Sequence, residues 1–424
     1  MLNKSCRYLN RKQYRLLFGC LLLSFLIPAY VYANGPFKQQ KLIALDGAAE
    51  DFFSFSLAIS DDTALIGSLK SDDEVMGVDM GSAYVFTLID NVWQQQAKLV
   101  AEDGKANDSL GGNVALFGET AVLGAIGHDK NGENSGAVYV FNRSGSTWAQ
   151  QTKLTALDGT KGDAFGQSIA VSDDIIIVGA PHDDNDNGKG AGSIYVFNRI
   201  GTTWTQQAKL IAPDGKEGDL FGISIALYDD TILIGADLND EIAMNAGAVY
   251  VFTRTGTQWS HQAKLMAADG GKTDIFGVRV ALSGDTALIS ARRDDDKIMG
   301  IDAGSAYVFT RTGITWKQQA KLTAPDGAED DRFGRSVALS GDTAVISAMH
   351  QDDNGANSGS AYVFTRIGNI WSHQVNLKAN DGASGDVFGW SVALSNGNAL
   401  IGAPRNDDKG NESGSAYIFK IAPH

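Results

Sequence analysis

The chain is 424 residues long, 43% apolar and 20% charged, with a formal net charge of −15. That apolar fraction excludes wholesale disorder, and so acidic a balance argues against nucleic acid and anionic membrane surfaces as partners. Forty-nine glycines against seven prolines, with no collagen-like period, mark many turns between short apolar runs and hence an all-β protein.

The first 33 residues stand apart. Lys4, Arg7, Arg11, Lys12 and Arg15 precede an apolar stretch from Leu16 to Ile27, and Val31-Tyr32-Ala33 offers a cleavage site. Residues 1–33 therefore read as a secretory signal, cut after Ala33. A membrane anchor would need roughly 18 apolar residues. A lipoprotein linkage through Cys20 is the third reading, although most of the apolar run follows that cysteine. The only cysteines, Cys6 and Cys20, fall in this segment, so the remainder has no disulfide and must be held by its core. Losing five basic residues takes the remainder to a charge of about −20, which suits cations or basic partners.

From there the chain repeats itself. Gly-Ser-Ala-Tyr-Val-Phe or a close variant begins at Gly81, Gly136, Gly192, Gly247, Gly304, Gly359 and Gly414, at intervals of 55–57 residues. A Phe-Gly pair recurs at Phe165, Phe221, Phe276, Phe333 and Phe388, blurred to Phe53-Ser54 and Leu110-Gly111 in the first two copies. Trp93, Trp148, Trp204, Trp259, Trp316 and Trp371 give a third anchor. Each copy reads as four short strands, A to D, joined by turns such as Asp173-Asp174 and Ile200-Gly201-Thr202. Strands B and C are apolar on both faces, as in Ile175-Ile176-Ile177-Val178, which suits a sheet wedged between two others. Seven such copies predict a seven-bladed β-propeller of four-stranded antiparallel blades.

The ends predict how it closes. The last copy stops after strand C, and Phe37 to Leu42 matches Trp204 to Leu210 with one deletion, so the N-terminal strand should complete the last blade. Residues 34–424 are then one propeller, with blades over about 51–101, 108–156, 163–212, 219–267, 274–324, 331–379, and 386–424 together with 37–45.

Phe-Gly ahead of strand A, with Gly179-Ala180-Pro181 and Gly402-Ala403-Pro404 ending strand B, resembles the FG-GAP repeats of the integrin α-subunit propeller. Lys-Leu-x-Ala-x-Asp-Gly before Phe-Gly brings the likeness closer still to bacterial FG-GAP proteins. The resemblance implies a propeller used for extracellular binding or adhesion, often with bound calcium. One departure matters: integrin-type repeats carry calcium on a loop between strands A and B. Here that connection is only Ser172-Asp173-Asp174 or Ser340-Gly341-Asp342, too short to wrap a cation.

In a meander the D-to-A and B-to-C loops share one face, and that face collects the acid. Asp-Gly-x-x-x-Asp recurs in each D-to-A loop, from Asp46/Asp51 to Asp381/Asp386; a feature repeated in every copy reads as architecture, with the carboxylates holding the turn. Among the B-to-C loops, Asp183-x-Asn185-x-Asn187-Gly188 has the opening spacing of a calcium loop but Ile194 where its last glutamate belongs. Asp183, Asn185 and Asn187, with weaker counterparts Asp129, Asp352 and Asp407, are either calcium ligands or members of solvated acidic loops. Calcium is the one cofactor suggested. The tryptophans read as outer-strand packing rather than sugar platforms. Ligand specificity should sit where copies differ, and the residue after Phe-Gly differs most: Arg335, Trp390 and Gln167 are the ligand-binding candidates.

Catalytic residues are not suggested: His182 and His350 have no metal-binding spacing, and no nucleophile constellation is visible. The expected function is an exported, monomeric, non-enzymatic binding or adhesion propeller. It would take an extracellular protein or glycan on its acidic loop face, without nucleic acid or membrane insertion. The alternative is a propeller glycoside hydrolase or polysaccharide lyase, which would need a carboxylate pair of raised pKa near the axis.

Overall fold

A computed structural model describes residues 31–32, 38–73 and 75–421. The leader expected over residues 1–33, with Cys20 and the Ala33 cleavage point, lies outside these apart from Val31–Tyr32, as do Phe37 and Glu74. No helix among the described residues is long and apolar enough to cross a membrane.

The described chain is all β, in seven sheets that each follow the order A, B, C, D. Blade 3 shows the pattern: Ser168–Val171, Ile175–Ala180, Ser193–Ile200 and Thr203–Leu210, each antiparallel to the next. Strand B is buried along its whole length in blade 3, as a sheet covered on both faces must be. The A strands line the axis and pack against one another, while the D strands form the rim.

Closure occurs in blade 7. Gln39–Leu42 pairs antiparallel with Ser415–Lys420, setting Gln39 opposite Phe419 and Leu42 opposite Ala416. This removes the sheet edges that an open ring would expose. Val31 and Tyr32 add a short outer pairing to Gln40 and Gln39. The one-residue deletion has a structural meaning. Every other D strand carries a β-bulge, at Gln207 in blade 3 for instance, and the blade 7 strand runs without one.

Neighbouring blades are joined by main chain and by ring packing. The glycine heading strand C, such as Gly192, has φ +85, and a Cβ there would fall 2.2 Å from Phe221 O of the next blade. Without that Cβ, the Phe221 N–H reaches Ala191 O at 3.0 Å, and the same bond recurs from Phe53 to Ser413 across the closure. The phenylalanine then packs edge-on to the tyrosine and phenylalanine of its own strand C, as Phe221 does to Tyr250 and Phe252 at 5.4 and 6.2 Å. Such pairs add about 0.5–1.5 kcal/mol beyond burial. At the rim, the bulged glutamine of one blade accepts the next blade's indole N–H: Trp204 to Gln151 and Trp316 to Gln262, both at 3.0 Å. The tryptophans are thus packing elements.

Leu42 is 2% exposed and belongs to the cluster joining blades 7 and 1. Leu42→Ala should cost about 2–4 kcal/mol in denaturant unfolding. Deleting residues 34–45 should lower the melting temperature by ~5–15 °C in one cooperative transition, rather than fray one end.

Candidate functional site

The D-to-A aspartates hold the loop face together. The second of each pair is buried and accepts a backbone N–H three residues back, as Asp163 does from Thr160 at 2.6 Å and Asp331 from Ala328 at 2.8 Å. The first reaches the strand D lysine of the following blade: Asp158 to Lys209 and Asp269 to Lys321, both at 2.7 Å. In blade 6, where Asn376 replaces lysine, an amide hydrogen bond to Asp326 takes over.

The same lysines answer for the B-to-C loops. The buried Asp183 accepts Ser193 and Tyr195 hydroxyls at 2.7 and 3.0 Å, and lies 2.9 Å from Lys209 Nζ. Burial works against the Lys209 ammonium, but the hydrogen bonds it donates to Asp158 and Asp183 outweigh it and push its pKa up. Asn185 donates to Gly192 O and accepts the Asn187 N–H, while Asn187 donates to Ala212 O. Asp129, Asp352 and Asp407 each cap their own loop, accepting the N–H of Asn134, Asn357 and Glu412 at 2.7–2.8 Å. As folded, this set does not fit a calcium ion, which takes roughly six to eight oxygens. An ammonium already occupies Asp183, and the other candidates point into separate loops. Among the described residues no three His, Cys, Asp or Glu side chains gather as a ligand set.

The axial candidates do meet. Arg335, 7% exposed, lays its guanidinium 4.0 Å from the ring centre of Trp390, and Phe55 of blade 1 packs against that indole at 5.3 Å. Gln167 stands on blade 3, on the opposite side of the ring.

Three further residues join this cluster. Arg279 follows Val278 just ahead of strand A in blade 5, Arg292 directly follows strand B of the same blade, and Asp237 directly follows strand B of blade 4. Burial, then the like charges of Arg279, Arg292 and Arg332, hold the Arg335 pKa well below its ordinary value. Burial and neighbouring arginines depress Arg292 to about 10. Burial lifts Asp237 to about 6 against the pull of Arg279 and Arg292. The signal for these residues was present in the repeats: Arg279 stands where other copies have serine or asparagine. Asp237 and Arg292 stand where Leu69, Ile126, Pro181, Met349 and Pro404 do.

The opposite face is regular over blades 3 to 6. Arg199–Asp173, Arg254–Asp230, Arg311–Asp285 and Arg366–Asp342 repeat one ion pair from blade to blade. An open cleft of about 550 Å³ lies there between blades 4, 5 and 6. Its arginines are paired to aspartates, so it reads as a product of the repeat.

Fold and site together define a seven-bladed β-propeller with a cationic cluster at the axis of its loop face. The chain belongs to the FG-GAP repeat family: that pattern matches at residues 37–86, 93–141, 148–197, 204–252, 259–309, 316–364 and 371–419. It is similar to mouse integrin alpha-M, 26% identical over 239 residues, which is 50% of this chain and 20% of that protein. Human integrin alpha-6 is 36% identical over 117 residues, 25% of this chain and 9% of that protein. Integrin alpha-3 of Cricetulus griseus is 32% identical over 146 residues, 31% and 13% respectively. The matches thus span about a fifth or less of these relatives.

Burial lifts the carboxyls of Asp274 and Asp331 to about 6, above their ordinary 3.8. Folding then takes up protons between these values. The stability these groups contribute is complete below about pH 4 and lost as pH rises through about 6. In a double Asp274→Asn, Asp331→Asn variant, urea unfolding at pH 4 and pH 7 should differ by about 1–2 kcal/mol less than in the wild type, after allowance for solvent screening.

Proposed function

We propose that the protein is an exported, non-enzymatic binding propeller that recognises an extracellular protein or glycan through its loop face. The supporting observation is where the blades stop being alike. Departures from the repeat gather at the loop-face axis, around Arg335 and Trp390, while the other face repeats one ion pair. Its relatives named as integrin α subunits support the same reading. The leader-like residues 1–33 support export, with residues 34–424 as the mature propeller. The axial region holds one carboxylate of raised pKa, Asp237, among arginines, which favours binding over a two-carboxylate hydrolase.

An array of glycans and surface proteins tests this. Val75 and Ile298 project from the loop face at 91% and 95% exposure, while Ile200 and Ile367 project from the other face at 79% and 83%. Val75→Asp with Ile298→Asp should weaken array binding by about tenfold, a loss typical of interface residues, and Ile200→Asp with Ile367→Asp should leave it unchanged. The reverse pattern would place recognition on the opposite face.

Calcium assistance belongs to this reading through Asp183, and would require Lys209 to release that carboxylate. With the ammonium in place, melts in calcium and in chelator should agree within about 1 °C. A chelator-induced fall, abolished by Asp183→Asn, would establish the loop as a calcium site.

A further inference from the structure

We propose that Arg279, Arg292 and Arg335 form a binding site for a tetrahedral oxyanion of the sulfate or phosphate type at the loop-face end of the axis. This narrows, and rests on, the reading of the loop face as a binding surface.

The argument begins with what these side chains lack. Among the described residues, the one hydrogen bond their guanidinium groups make to protein is Arg279 Nη1 to Val278 O, at 2.9 Å. Arg292 Nε and Arg335 Nε are buried without a partner, and so is Asp237 Oδ1. Among the described residues no carboxylate lies within ion-pairing distance of the three arginines, whereas strand C arginines such as Arg254 and Arg311 are paired. A buried guanidinium with idle N–H groups is unfavourable in the free protein, and an oxyanion supplies the missing acceptors in its own fork geometry. Three guanidinium charges against one carboxylate leave a surplus that matches a dianion. Three forks also present more donors than the two oxygens of a carboxylate accept.

The site is built rather than accidental. In most blades a strand A serine bonds to the next blade, as Ser168 does to Gly222 O and Ser224 to Gly277 O, both at 2.6 Å. The glycine facing it on strand B leaves room for that hydroxyl: a Cβ on Gly179 would lie 2.2 Å from Ser168 Oγ. Blades 5 and 6 carry a serine in place of that glycine. The Ser290 hydroxyl holds the strand A backbone at Arg279 N and O, at 3.1 and 3.3 Å, and the Ser347 hydroxyl does the same at Ser336. Blade 6 keeps its strand A serine, Ser336, and blade 5 has Arg279 there instead. On blades 6 and 7, Trp390 steadies the Arg335 guanidinium from one side and is itself backed by Phe55. Trp390 is therefore a positioning residue, its face already covered by Arg335.

Asp237 makes the site pH-dependent. The charged groups facing it are Arg279 and Arg292, with Arg293, Arg332 and Arg335 beyond them. Its ionised form repels an incoming anion. Sulfate stays dianionic across this range, so its affinity should rise as pH falls through about 6.

The test is calorimetric titration of the intact protein with sodium sulfate against sodium chloride at equal ionic strength. Sulfate should bind about fivefold or more tightly at pH 5.5 than at pH 8, as loss of one repelling charge implies. Asp237→Asn should give the tighter value at both pH values. Arg335→Met and the more exposed Arg292→Gln should each weaken sulfate by about tenfold, the scale of one charge-assisted pair. A structural role for Arg335 predicts instead that Arg335→Met melts earlier with sulfate binding intact; Arg292→Gln keeps the test open if Arg335→Met does not fold. A sulfated disaccharide and its unsulfated parent separate the sources. Binding of inorganic sulfate alone assigns a free ion, and binding of the sulfated sugar over its parent assigns an ester on a glycan. No sulfate-specific heat, or equal heat from the variants, overturns the site. An array ligand still bound through the loop face would then leave the broader reading standing.

Discussion

The ring depends on the distance at which one blade's backbone can approach the next. A glycine in the left-handed region at the head of strand C lets the following Phe-Gly segment come within hydrogen-bond reach, and a side chain there would meet backbone oxygen at about 2 Å. Once the backbones are docked, the phenylalanine fills the wedge against Tyr and Phe of its own strand C. The aspartate–lysine pairs on one face and the tryptophan–glutamine bonds at the rim then fall into register. Each of these contacts is modest and partly solvent-exposed. Repetition round a closed circle makes them cooperative, because no blade can leave without breaking two interfaces.

Blade number, strand order and closure could be read from spacing alone, since period, turn chemistry and the unmatched terminal strand all encode local geometry. What lies between blades could not. Lys209 and Asp158 are both ordinary surface residues in the sequence, and only the fold brings them together around Asp183. The Asp-x-Asn-x-Asn-Gly spacing at Asp183 is shared by calcium loops and by loops that satisfy their own main chain, and Ile194 in place of the last glutamate is the local sign that separates them. The axial cluster was half visible. Arg335 and Trp390 stood out as neighbours of Phe-Gly, but Arg279, Arg292 and Asp237 emerge only when equivalent positions are compared copy by copy. The net charge of −15 hid them further, because a sum over the whole chain does not show where its cations gather.

The two faces show how a repeat acquires specificity without losing its frame. One face keeps the same arginine–aspartate pair on successive blades. The other keeps its turn-holding aspartates but lets the residues nearest the axis diverge, where they bear least on blade packing. Blade 5 makes the point in atomic terms: the strand A serine gives way to the long cationic side chain of Arg279, and the main chain beside it stays bonded to the Ser290 hydroxyl. Variation of this kind costs the scaffold one inter-blade hydrogen bond.

The pairing of Gln39–Leu42 with Ser415–Lys420 also bears on how the protein comes into being. Synthesis delivers the first of these strands hundreds of residues before the second, so the circle cannot close until the last blade has been made. Until then the leading strand has no partner sheet, and the ring stays open. Loop-closure entropy grows only slowly with chain length, so this late seal is costly in time more than in free energy.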